Sequence, residues 1–177
     1  FEKKKNLIDY AHSPLRTDQL DIFLLATCKF MIATSSGPQR IPSSFGVPVI
    51  FTNNLLLPPY FSLKEEDLYL PRLIKHKQTG KNLTLEEMTS FPVNLYRSQV
   101  MFDGAGLKYE EASSDDIDHV VNEMLNRIRN KDSIYKLTKN QLYFKKTVED
   151  KMSLVDNEIK AFAPCSNQFL ENKNLIS

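Results

Sequence analysis

Apolar residues gather in short unbroken runs over the first third of the chain and in spaced stripes over the last third. Residues 6–11 (NLIDYA), 29–34 (KFMIAT) and 47–52 (VPVIFT) are such runs, each readable as a strand buried on both faces. Between the first two, Thr17 and Asp18 are good N-cap residues, and Leu20, Phe23, Leu24 and Thr27 recur at helical spacing. Between the second and third, Ser35-Ser36-Gly37-Pro38 turns the chain into a short helix that runs to Phe45. Pro42 must lie in its first turns or shift its start, because proline lacks the backbone donor, and Gly46 ends it. The order β-α-β-α-β with continuous apolar strands predicts an α/β fold, a Rossmann-like parallel sheet flanked by helices.

The remainder is less regular. Residues 53–105 hold several prolines and predict an irregular surface excursion, with one short helix over 85–90 started by the capping pair Thr84 and Glu87. A fourth strand is expected at 106–111. Ser113 or Ser114 then caps a helix to Asn130, whose Ile117, Val120, Val121, Met124, Leu125 and Ile128 make one apolar stripe. A second long helix is expected over 133–152 with Ser133 as its cap, and a terminal helix over 167–176. No repeat, low-complexity tract or Gly/Ser linker divides the chain, so residues 1–177 read as one unit closed by C-terminal helices over 133–177.

Composition narrows the function classes. The 177 residues are 41% hydrophobic and 25% charged, enough for a core without disulfides or metal. Twenty-three Lys and Arg against 22 Asp and Glu leave a net charge of +1, which gives no electrostatic footprint for nucleic acid or an anionic membrane. No apolar stretch approaches a membrane span, since Asp21 and Lys29 interrupt the best candidate. Cys28 and Cys165 stand far apart, as expected of free thiols in a reducing, cytoplasmic setting. Three scattered histidines without HxH or HExxH spacing argue against a metal site. The chain begins with Phe1 rather than Met, as expected of a processed or partial sequence.

Residues 29–48 are the most informative for chemistry. A buried strand that turns through Ser35-Ser36-Gly37 into a helix leaves that helix's first N–H groups unpaired at the sheet's carboxyl edge. Gly37 lets a ligand approach the backbone, the hydroxyls of Ser35 and Ser36 can donate to phosphate oxygens, and Arg40 can pair with the same anion. The same residues also suit an ordinary strand-to-helix turn in which the serines are only caps. Asp9, Tyr10, His12 and Ser13 follow the first predicted strand and should face the same crevice. His12 can contact a sugar or diphosphate, protonate a leaving phosphate, or be a turn histidine with a satisfied bond. Asn53 and Asn54 follow the third strand and can reach a base or sugar, or serve the turn's backbone.

Residues 7–58 resemble the signature of a family of bacterial glycosyltransferases. The matching elements are Asp9-Tyr10-Ala11-His12-Ser13, the helix with Asp18 and Asp21, Ser35-Ser36-Gly37, Phe45-Gly46-Val47-Pro48 and Thr52-Asn53. Fainter similarity continues through residues 67–73, 80–87, Asp115-Asp116-Ile117 and 167–172. The resemblance implies one lobe of a GT-B architecture, in which two Rossmann-like lobes close over a nucleotide sugar. This chain would be the C-terminal, donor-binding lobe, and an N-terminal lobe outside it would supply acceptor contacts and the usual catalytic base. It also implies metal-independent transfer to a carbohydrate or glycolipid acceptor in polysaccharide biosynthesis. No cofactor is implied beyond the nucleotide-diphosphate sugar that serves as donor substrate. Asp9, Tyr10, His12, Ser13, Ser35, Ser36, Gly37, Arg40 and Asn53 would then line the donor site, with His12 the one catalytic candidate. The glutamate that many such lobes use for the ribose would fall to Glu110 or Glu111 by position only. A sugar-nucleotide epimerase or pyruvyl transferase would share the fold, and a non-catalytic interaction domain could keep it as scaffold.

Overall fold

The structure is a computed structural model and describes residues 5–34, 37–55, 64–130, 136–152 and 163–176. Helix α1 (Asp18–Thr27) leads to strand β1 (Met31–Ala33), and a 3-10 turn at Gly37–Gln39 runs into helix α2 (Arg40–Ser44) and strand β2 (Val49–Asn54). Strands β3 (Leu68–Pro71) and β4 (Leu73–His76) follow, then helices α3 (Leu85–Thr89) and α4 (Gln99–Gly104) and strand β5 (Leu107–Glu110). Helices α5 (Ser114–Arg129), α6 (Lys139–Met152) and α7 (Asn167–Asn172) complete the order.

The class is the expected one: α/β, with a three-stranded parallel sheet flanked by helices. The strands lie in the order β1-β2-β3, with Ile32 opposite Ile50 and Phe51 opposite Tyr69. A parallel bridge from Tyr69 to Cys165 extends the sheet toward α7. Val49, Ile50, Leu68, Tyr69 and Leu70 are fully buried, as strands covered on both faces must be. Each such side chain contributes about 1.5–3 kcal/mol by leaving water.

The helices that cover the sheet start where their sequences can cap them. Ser113 and Asp116 bond reciprocally at the start of α5, and its stripe sends Val120 and Met124 into the core against β2 and β3. α6 begins at Lys139. Thr138 accepts from the Gln141 N–H, and the Gln141 side chain accepts from the Thr138 N–H, so Thr138 is the cap; Ser133, the expected one, lies outside the described residues. Phe144 and Val148 of α6 are buried, with the Phe144 ring 6.3 Å from that of Tyr69.

Other expectations change. Residues 6–11 form no strand: Asn6 takes a left-handed φ of 70°, turns follow at residues 11–12 and 14–15, and Ile8 is 82% exposed. A buried strand needs cover, and α1 leaves much apolar surface to solvent: Ile22, Phe23 and Leu24 are consecutive rather than on one face, and all three are exposed. Residues 53–105, where the prolines predict an excursion, contain β3, β4, α3 and α4. Pro71 is compatible with β3 because it stands opposite Asn54, where the pairing with β2 shifts register. The strand expected at 106–111 is present as β5 but pairs antiparallel with β4, outside the parallel sheet. The terminal helix stops at Asn172.

The carboxylate of Asp67 fixes how β3 meets β2. Its two oxygens accept from the N–H of Val49, at 2.7 Å, and of Lys64, at 2.9 Å. Burial pushes its carboxyl up to about 6, against the lowering effect of those two backbone bonds and of Lys64. The folded state therefore holds this proton more tightly than the unfolded chain, whose value is near 3.8. The associated stability is fully present below about pH 4 and is lost as pH rises through about 6, by at most about 3 kcal/mol. Urea titrations between about pH 4 and 7 should show the advantage of wild type over Asp67→Asn shrinking across this window. A constant difference would contradict the buried-acid assignment.

Candidate functional site

All three parallel strands end on the same edge of the sheet, where open α/β sheets take their ligands. β1 reaches that edge at Ala33, level with Phe51 of β2, and β2 continues three residues further to Asn54. Ser35 and Ser36, the two serines expected to face a phosphate, lie outside the described residues. Gly37 opens the 3-10 turn that becomes α2, and it is exposed. A Cβ built on Gly37 would meet nothing within 4 Å, so the backbone there borders open space. Pro38 has no N–H, and Gln39, the next residue of the turn, is buried. Arg40 follows one turn later and is exposed.

The residues following the first apolar run do not lie at the end of a strand, because that run is not one. They form a turn ahead of α1. His12 Nδ1 lies 2.9 Å from the Asp9 carboxylate, with the His12 side chain 82% exposed. Tyr10 donates its hydroxyl to the Thr17 carbonyl at 3.4 Å, and Ser13 Oγ accepts from the Leu15 N–H at 3.2 Å. These bonds build the entry to α1, whose cap is Thr17.

The two asparagines that close β2 differ sharply. Asn53 has a left-handed φ of 58° at a register shift, and its Oδ1 accepts from the Ala112 N–H at 2.7 Å. It ties the end of β2 to the entry of α5, a conformation asparagine tolerates better than most residues. Asn54 is only 5% exposed, and among the described residues neither its Nδ2 nor its Oδ1 has a partner. Its sequence signal was only the pair of asparagines ending an apolar run; which of the two would be left unmatched depends on the register shift, which no local pattern shows.

Glu110 and Glu111 are engaged elsewhere. Glu110 pairs with Lys75 at 2.5 Å and with Lys108 at 3.2 Å, and the Lys75 bond holds its carboxyl below the usual range. Glu111 pairs with Arg72 at 3.2 Å. A separate hollow of about 410 Å³ lies among α5, α6 and α7, with polar lining residues that include Glu123, Arg127, Gln141 and Asn167. Glu123 spans it, accepting from Gln141 Nε2 at 2.8 Å and from the Asn167 N–H at 3.0 Å. None of the predicted site residues lines it. Cys28 and Cys165 are free thiols, the second fully buried. Among the described residues, no group of three or more His, Cys, Asp or Glu is placed to hold a metal, and no helix is long and apolar enough to cross a membrane.

Comparison of the chain with models of protein families, with curated proteins and with solved structures returns no match.

The Asn53 geometry has a measurable consequence. Asn53→Ala removes the acceptor for Ala112 and places a Cβ residue without a polar side chain at positive φ, so stability should fall by about 1–3 kcal/mol. Asn53→Gly should recover the conformational part of that loss. Chemical denaturation of the two variants decides it: equal losses would show that φ carries no cost here.

Proposed function

We propose that this chain is the nucleotide-sugar-binding part of a glycosyltransferase that transfers a sugar to an acceptor hydroxyl. The observation that carries the reading is the passage from β1 through Gly37 into a helix start, at the carboxyl edge of a parallel sheet and beside open space. A diphosphate seated there would meet the Gly37 amide and the guanidinium of Arg40, with Ser35 and Ser36 as the expected hydroxyl donors. In the reaction the acceptor oxygen attacks the anomeric carbon, the bond from that carbon to the diphosphate oxygen breaks, and the acceptor's proton passes to a base. Donors fixed beforehand around the departing diphosphate stabilise its growing charge, which is the largest single contribution such a site can make.

The catalytic base is not among the residues gathered at this edge. Asp9, Tyr10, His12 and Ser13 belong to the turn ahead of α1, and in this reading they contact the donor only if the ligand reaches across to that turn. A second lobe would bring the acceptor. Its docking face would draw on exposed apolar side chains such as Ile22, Phe23 and Leu24 of α1, Ile32 of β1 and Phe45. The same surface favours a second reading, a non-catalytic interaction domain, in which the sheet edge binds no small molecule.

Calorimetric titration with a panel of nucleotide sugars separates the two. The donor reading expects at least one to bind. Gly37→Ala should then fold normally, since its Cβ has room and its φ is not positive, yet bind about tenfold more weakly because the methyl stands in the diphosphate's path. Arg40→Ala should lose a similar factor, about 1.4 kcal/mol. Absence of binding by wild type to every member of the panel would leave the interaction domain as the better account.

A further inference from the structure

The polar side of α5 is as regular as its apolar stripe. His119, Asn122, Glu123, Asn126 and Arg127 recur at i, i+3, i+4, i+7 and i+8, so they share one face of the helix. A polar helix face ordinarily meets bulk water, but this one lines the hollow of about 410 Å³ among α5, α6 and α7. That volume lies within the range of small-ligand sites, about 300–1,000 Å³. Its described lining has no aliphatic or phenyl side chain, so an apolar molecule finds no counterpart there.

The strongest acceptors around the hollow are already engaged. Glu123 is bonded on both oxygens, Gln141 Oε1 accepts from the Thr138 N–H, and Asn167 Oδ1 accepts from the Thr138 hydroxyl at 2.6 Å. Two cations line the same space. Arg127, 5% exposed, is held by Nη1 bonds to the carbonyls of Glu65 and Asp67. Lys136 is exposed and has no ion partner among the described residues. Two positive charges against one engaged carboxylate favour an anion. Asn122 and Asn126 stand one turn apart on α5, and the Asn126 side chain is bonded to no described residue. A carboxamide sets a donor beside an acceptor, which suits hydroxyls that both give and accept. We infer that this hollow is a second binding site, for an acidic saccharide. Its carboxylate or phosphate meets Lys136 and Arg127, and its hydroxyls meet Asn122 and Asn126. The site is separate from the sheet edge and does not depend on the nucleotide-sugar reading.

The test titrates the isotope-labelled whole chain with glucuronate, glucose 6-phosphate, glucose and inorganic phosphate, followed by amide NMR. At least one of the two acids should give saturable shifts over residues 119–127 and 136–141, and the tighter acid identifies the anionic group. Glucose and inorganic phosphate should each bind about tenfold more weakly or worse, since each offers only half of the match. Lys136→Ala and Asn126→Ala, both at exposed positions, should melt like wild type. They should weaken the acid by about tenfold and about threefold. Glucose or phosphate binding as tightly as the acids would overturn the inference, as would unchanged affinity in both variants. With neither acid shifting these segments it falls as well, and shifts confined to the surroundings of Gly37 would overturn it while favouring a ligand at the sheet edge.

Discussion

The bond from Asp67 to the first residue of β2 is the constraint on which the sheet depends. β2 and β3 are parallel and no short hairpin sets their register. Asp67 does so with two backbone bonds, one to Val49 at the start of β2 and one to Lys64 at the entry to β3. Arg127, near the end of α5, adds donors to the carbonyls of Glu65 and Asp67, each at 3.3 Å. An acid and a guanidinium, both buried, thus hold strand, turn and helix at one end of the sheet. Burial disfavours both charges, raising the carboxyl of Asp67 and lowering the guanidinium of Arg127 from their ordinary values.

The opposite end is arranged differently. Where Asp67 and Arg127 engage the backbone around them, the carboxyl edge carries, among the described residues, an exposed glycine and an asparagine whose side chain has no partner. In the polar hollow among α5, α6 and α7 the Glu123 carboxylate is bonded on both oxygens.

Much of this was legible in the residues. The unit from β1 through α2 to β2 follows from two apolar runs separated by a turn and a glycine stop, and Gly46 does take a left-handed φ of 76°. α5 follows from its cap and stripe. Misplaced elements were those decided by pairing rather than by local pattern. Residues 6–11 are as apolar as a strand, but nothing among the described residues covers them. β3 is only four residues of Leu-Tyr-Leu-Pro, and it is a strand because Asp67 and the 163–166 segment flank it. Among the candidate residues, the helix start that follows Gly37 could be read from spacing, whereas the different fates of Asn53 and Asn54 depend on a register shift within β2.

The outer rim of β1 has no neighbouring strand among the described residues, and Ile32 on that strand is exposed. Main-chain amides and carbonyls carry no residue identity, so a bare rim accepts any extended peptide that reaches it. For a molecule with such a rim, unwanted joining is governed by crowding and elapsed time more than by recognition. Whatever shields β1 therefore acts as a guard on solubility, whether or not it has a part in chemistry.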